Sequence, residues 1–138
     1  MSYSNRVRTL KKRQFSGKAV LYWMVRDKRF NDNWALYVAQ KAAIKYKVPI
    51  HVCFQYNPKK SSGTIREYEF LFLGLKETVK SLVKHNIKFH LLNGDAKSEI
   101  PKLCNSLKVG TLLTDYSPLK LYKRRLDHVM NNLDCSIF

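Results

Sequence analysis

The chain has 138 residues, one domain's worth at the usual ~100–200 residues per domain. Hydrophobic residues make up 45% and charged residues 26%, which excludes a disordered tail or a fibre. The charge is lopsided: 26 Lys+Arg against 10 Asp+Glu gives +16, which favours polyanionic partners and is silent about fold.

Residues 1–18 read as a basic tail, with Arg6, Arg8, Lys11, Lys12, Arg13 and Lys18 and no acid. A βα rhythm then begins. A strand is predicted over 19–25 and a helix over 33–46, with Asp32 as N-cap and Ala35, Ala39, Ala42, Ala43 and Tyr46 on one face. The second unit has a strand over 49–54 and a loop over 56–63 that holds Pro58, Lys59, Lys60 and two serines. Thr64-Ile65-Arg66-Glu67 then has the form of a capping box. The helix it opens carries a stripe of Ile65, Tyr68, Phe72, Leu75, Val79, Leu82 and Val83. The third unit is a strand over 87–92, an Asn93-Gly94 turn, Asp95 as cap, and a short helix through Ile100, Leu103, Cys104 and Leu107. The fourth is a strand over 110–114, then Ser117 as N-cap and Pro118 as first helical residue. Its stripe is Leu119, Tyr122, Leu126, Val129, Met130 and Leu133. Cys135-Ser136-Ile137-Phe138 looks like the opening of a fifth strand.

Four strands alternating with four helices predict an α/β fold, a doubly wound Rossmann-like parallel sheet with helices on both faces. A fifth strand that has only begun leaves an edge bare, so marginal stability or self-association is expected.

Ligands of such sheets bind beyond the carboxyl ends of the strands, here residues 26–32, 55–62, 93–96 and 115–117. None of these holds a Gly-x-Gly-x-x-Gly turn or a P-loop, which argues against ordinary dinucleotide binding. No Gly-rich phosphate loop follows the fourth strand, so the ATP mode of universal-stress-like domains is not expected. The Arg26-Asp27-Lys28-Arg29 turn lacks the paired histidines of nucleotidyltransferases. His51 and Cys53 share a strand face without a second ligand pair, so metal is not expected. The longest apolar run, seven residues over 19–25, is far below the ~18 that cross a bilayer, and no secretory signal opens the chain. Three widely spaced cysteines suit reduced thiols inside the cell, in cytoplasm or nucleus. Asp27, Asp32, Asp95 and Asp115 are either ligand carboxylates or caps. The bases of the tail and Lys120, Lys123, Arg124 and Arg125 are either phosphate contacts or a solvated face.

Three segments carry a resemblance. YWMVRDKRFNDNWAL (22–36) resembles the first strand, turn and helix start of DNA photolyases, and its Tyr-Trp-Met looks like the class II enzymes. TIREYEFLFLGL (64–75) resembles the opening of their long helix, and LLTDYSPLK (112–120) their fourth strand and following turn. Asn5-Arg6-Val7-Arg8 and residues 49–54 also fit, so the likeness runs from about residue 5 to the end. It implies light-driven splitting of cyclobutane pyrimidine dimers in DNA. In that family the flavin adenine dinucleotide, the dimer pocket and the tryptophan relay belong to a C-terminal helical domain, which this chain is expected to lack. This chain then corresponds to the N-terminal α/β domain, residues 19–138, and is expected to be inactive in repair by itself. Trp23 is expected in the core and Trp34 in first-turn packing, neither in a relay. The resemblance further implies a frame against the helical domain and, in many members, a pocket for an antenna chromophore, a deazaflavin or a folate. By location the candidate residues are Met24, Arg26, Phe54, Asp115, Tyr116 and Ser117. The alternative is a stand-alone basic module that binds nucleic acid or a partner protein.

Overall fold

A computed structural model describes residues 5–59 and 63–138. Lys60 and the two serines of the loop expected after the second strand lie outside these residues. The elements run β1 (Ala19–Met24), α1 (Trp34–Tyr46), β2 (Ile50–Tyr56), α2 (Ile65–Lys84), β3 (Lys88–Asn93), α3 (Ala96–Leu107), β4 (Val109–Thr114), α4 (Lys120–Asn131) and β5 (Ser136–Ile137). The strands lie in the order β3-β2-β1-β4-β5, every neighbouring pair parallel, so the doubly wound architecture is the one expected.

β1 is central and covered on both faces, which is why its six residues are a continuous apolar run and are all buried. Side chains sort by parity along the strands. Leu21, Trp23, Cys53 and Leu112 pack with Ile100 and Cys104 of α3 and Tyr122 and Val129 of α4. Val20, Tyr22, Met24, Val52, Phe54 and Leu113 pack with Leu36 and Ala39 of α1 and Leu75 and Leu82 of α2. Burial pushes up the thiols of Cys53, Cys104 and Cys135, which keeps all three protonated in the core.

The capping box at Thr64 and Glu67 forms as expected, and Asp95 caps α3 by accepting from the Lys97 amide. α1 differs. Asp32 sits in the left-handed region at φ 51°, whereas a cap needs extended backbone. Asn33 has it, and its side chain accepts from the Leu36 amide. α4 also begins later than predicted, after Leu119, which makes no side-chain cap bond. Ser117 Oγ accepts from the Leu119 amide only at 3.5 Å, and Pro118 precedes the helix. Asp115, tied to the loop after β1, holds this exit from β4 extended, and Leu119 is left exposed. On α2 the buried line is Leu75, Thr78 and Leu82, whereas Ile65 and Val83 of the expected stripe face solvent. A helix of 20 residues is about 30 Å long and outruns the ~20 Å of six-residue strands, so its ends overhang the sheet.

Residues 1–4 of the expected basic tail lie outside the described residues, and the remainder is docked on the sheet. Leu10 and Lys11 amides donate to the Ile137 carbonyl at 2.9 and 3.1 Å, and the Ile137 amide donates to Lys11 O at 2.8 Å. Arg13 and Ser136 exchange bonds of 2.9 and 2.7 Å. The Lys11 ammonium donates to the carbonyls of Met130, at 3.0 Å, and Leu133 at the end of α4, where a cation also suits the helix dipole. The edge of β5, expected to be bare, is therefore covered by an antiparallel strap.

His51 and His90 meet on the α3-side face of β2 and β3, Nδ1 to Nε2 at 2.9 Å. Among the described residues no group of three or more metal-ligating side chains is assembled, around this pair or elsewhere. Burial holds both imidazoles below their usual value; His90 and then Lys88 add to this at His51, and Lys88 at His90. The unfolded chain then binds protons more readily, so this stability is present above about pH 6.5 and is lost as pH falls through the depressed folded values. The urea midpoint is expected to drop between pH 7.5 and 5.0, and less steeply in His90→Phe. A variant that loses stability over this interval just as the parent does would assign the effect to other groups.

Candidate functional site

The order 3-2-1-4-5 places the topological switch point between β1 and β4, and a cleft of about 490 Å³ opens at their carboxyl ends. Beneath it lies a polar network centred on Asp115, which is buried. Its Oδ2 accepts from the Val25, Arg26 and Asp27 amides at 2.8, 2.8 and 3.1 Å. Its Oδ1 accepts from the Tyr22 hydroxyl at 2.6 Å. Asn33 Nδ2 donates to that hydroxyl at 3.1 Å and to the carbonyls of Asp27 and Arg29, both at 3.0 Å. One carboxylate, one phenol and one amide thus bind the exit of β4, the β1–α1 loop and the start of α1 into a single body. Burial raises the Tyr22 phenol above its usual value and the Asp115 charge raises it further, which favours the protonated, donating form.

The walls of the cleft come from several parts of the chain. Asp115, Tyr116 and Ser117 form the rim after β4; Trp34 and Val38 come from α1; Tyr122, Lys123 and Leu126 come from α4. Arg6 and Arg8 of the strap complete it. Tyr122 is buried, bonded to Thr114 and packed 5.7 Å from Trp23, and burial pushes its phenol up to about 12. Trp34 is half exposed and carries the Arg6 guanidinium 4.6 Å from its ring centroid.

Of the residues picked out by location, Asp115, Tyr116 and Ser117 stand together in this cleft. Met24 and Phe54 are buried in the core on the α1–α2 side, and Arg26 is exposed with its amide held by Asp115. Sequence reasoning gave Tyr22, Asn33 and Tyr122 no site role, and it offered the tail arginines as phosphate contacts or a solvated face, not as walls of this cleft. Two signals were available: a tyrosine inside an otherwise apolar central strand, whose hydroxyl must find a partner, and the adjacent cap candidates Asp32 and Asn33.

Fold and site together define an α/β domain of the doubly wound class with a cleft at its switch point. The DNA photolyase family profile matches residues 20–137, and the chain belongs to that family. It is 43% identical over 106 residues to the deoxyribodipyrimidine photo-lyase of Potorous tridactylus, covering 77% of this chain and 20% of that protein. The enzyme of the same name from Oryza sativa is 36% identical over 119 residues, covering 85% and 23%. The chain thus spans between a fifth and a quarter of the length of these relatives. A Synechocystis cryptochrome shares the fold with a TM-score of 0.72 at 19% identity, over 88% of this chain and 26% of that one. A universal stress protein solved with cAMP aligns at 0.57 and 12% identity, over 89% and 96%, which again speaks for fold alone.

Proposed function

We propose that the chain serves as the N-terminal α/β domain of a class II photolyase and takes part in light-driven repair of cyclobutane pyrimidine dimers in DNA. In this reading the domain supports a C-terminal helical domain that carries the flavin adenine dinucleotide and the dimer pocket, and its own cleft holds an antenna chromophore, a deazaflavin or a folate. The cleft carries the proposal. Its ~490 Å³ falls in the range of small-molecule sites, and Trp34, Tyr116 and Tyr122 offer aromatic faces suited to a planar ring system. Such a chromophore, when bound, absorbs light and passes the excitation to the flavin.

The chain's own residues hold and orient it. Asp115, Tyr22 and Asn33 keep the β1–α1 loop in place, so the wall formed by Tyr116 and Ser117 keeps its shape without a ligand. Met24 and Phe54 belong to the core at the strand ends, with the Lys28 ammonium of that loop 5.6 Å from the Phe54 ring centroid, and Arg26 lies on the loop. Among the described residues no helix is long and apolar enough to cross a membrane, and DNA is met through the full-length enzyme.

Two measurements test this. Incubated with a deazaflavin or a reduced folate and then gel-filtered, the chain is expected to retain the chromophore at close to one equivalent, with an absorption maximum displaced from that in water. Supplied with flavin adenine dinucleotide under blue light, it is expected to leave thymine dimers intact. Turnover in that assay would place catalysis within these 138 residues and overturn the division of labour.

A further inference from the structure

The edge expected to promote self-association, β5, is covered by the strap, and an open apolar surface lies instead on α2, which packs over β3 at the opposite edge. Ile65, Glu69, Leu73, Lys76, Lys80 and Val83 recur every three or four residues and so fall along one line of this helix. All six are exposed, and Ile65, Leu73 and Val83 are 79%, 64% and 66% accessible. Thr78, on the opposite side of α2, donates its hydroxyl to the Lys28 carbonyl at 3.1 Å, which turns the line away from the body of the domain. Leu91, on the α2 side of β3 by parity with Phe89, is half exposed as well.

The charges of α2 point to what covers this line. Glu67, Glu69 and Glu77 nearly cancel Arg66, Lys76, Lys80 and Lys84 in a chain of +16, so two copies can meet on this helix with little repulsion. The charges are also sorted along it, Glu69 in the first half and Lys76 and Lys80 in the second. Among the described residues Glu69 forms no ion pair, and Lys80 meets only Glu77, at 3.3 Å between exposed side chains. A parallel copy would set Glu69 against Glu69 and Lys80 against Lys80. An antiparallel copy, with a two-fold axis near Gly74, sets Ile65 against the partner's Val83, Glu69 against the partner's Lys80, and Leu73 against the aliphatic stem of the partner's Lys76. It also opposes the two helix dipoles.

We infer that the outer face of α2 is a self-docking surface, on which a second copy of the chain binds through its own α2 in antiparallel register. This holds whatever the cleft binds. One helix face is a small interface, so the dimer is a weak one, with a Kd on the order of 10 µM.

Sedimentation velocity of the full chain over about 1 µM to 1 mM, at about 0.15 M salt, is expected to show a reversible monomer–dimer equilibrium. By the two-fold symmetry, Glu69→Lys or Lys80→Glu turns two attractive pairs into two repulsive ones, and each is expected to raise Kd about tenfold. The double variant Glu69→Lys/Lys80→Glu restores opposite charges across the axis and is expected to return Kd to about the parent's value. Leu73→Asp is expected to leave only monomer over the whole range. These side chains are exposed, so melting midpoints equal to the parent's, measured at monomeric dilution, are expected and confirm that the variants fold. A parent that stays monomeric throughout, or a dimer that none of the variants weakens, would overturn the inference. Single charge reversals that weaken the dimer without rescue by the double would overturn the antiparallel pairing.

Discussion

Asp115→Ala is expected to destabilise the domain by about 3–5 kcal/mol, the cost of leaving a buried polar cluster without its charged member. Four donors lose their acceptor together: the Tyr22 hydroxyl and the amides of Val25, Arg26 and Asp27. Asp115 is only 6% exposed, so water reaches these groups only if the β1–α1 loop opens. Asp115→Asn retains one acceptor oxygen and no charge, and about half the loss is expected. Tyr22→Phe removes a single bond and is expected to cost about 1 kcal/mol. Urea unfolding of the three variants gives the comparison directly through their midpoints. A midpoint for Asp115→Ala within error of the parent would mean that the loop does not depend on this carboxylate. The same substitution is expected to abolish chromophore retention, because Tyr116 and Ser117 are held in place through it.

Gly17→Ala is expected to cost ~3 kcal/mol, toward the upper end for an inserted methyl group. A Cβ at Gly17 would lie 2.5 Å from the amide nitrogen of Gly110 and 2.6 Å from the carbonyl oxygen of Lys108. Both are backbone atoms, and neither can swing aside. The requirement is for close approach of two backbone segments: the register of β1 on β4 skips at Gly110, and the incoming segment crosses there, its Lys18 amide donating to Lys108 O at 2.7 Å. Gly110→Ala meets the Phe15 ring instead, a side chain that can rotate, so a smaller loss is expected. Gly74→Ala is the control. Nothing lies within 4 Å of its added methyl, and within α2 the exchange is expected to stabilise by roughly 0.5–1 kcal/mol. Thermal melts of the three variants, with limited trypsin cleavage at Arg13 and Lys18, separate loss of the fold from release of the strap. Parent-like melting and protection of Gly17→Ala would show that the backbone crossing at Gly17 yields to a methyl group.

Much of the fold was legible because its determinants are local. Thr64 and Glu67 satisfy each other's backbone donors within four residues, so the pattern alone locates the start of α2. The apolar run of β1 announces burial on both faces, and the apolar end of the chain, Cys135 to Phe138, announces β5. Where local rules offered two solutions, tertiary contacts chose between them. Asp32 and Asn33 are both good caps by residue type. Asn33 is selected because its amide nitrogen also reaches Tyr22 and two loop carbonyls, which a carboxylate cannot serve. Ser117 and Pro118 have the form of a helix start, yet Asp115 holds that stretch extended and α4 waits for Leu119.

For the candidate site the division is sharper. The switch-point rule pointed to Asp115, Tyr116 and Ser117, because strand ends can be counted from the βα rhythm. Arg6, Arg8, Trp34 and Lys123 stand in widely separated parts of the chain, and no spacing in the sequence relates them.

By itself, then, the amino-acid sequence determined the class of fold, the order of its elements and the photolyase family, each of which rests on short-range patterns of burial, capping and motif. The tertiary structure decided what the basic N-terminus does. Its backbone had donors and acceptors to satisfy, β5 offered an open edge, and Lys11 found the carbonyls at the end of α4. Pairing at a separation of more than 100 residues turned a tail into a strap, and the strap carried two arginines to the cleft.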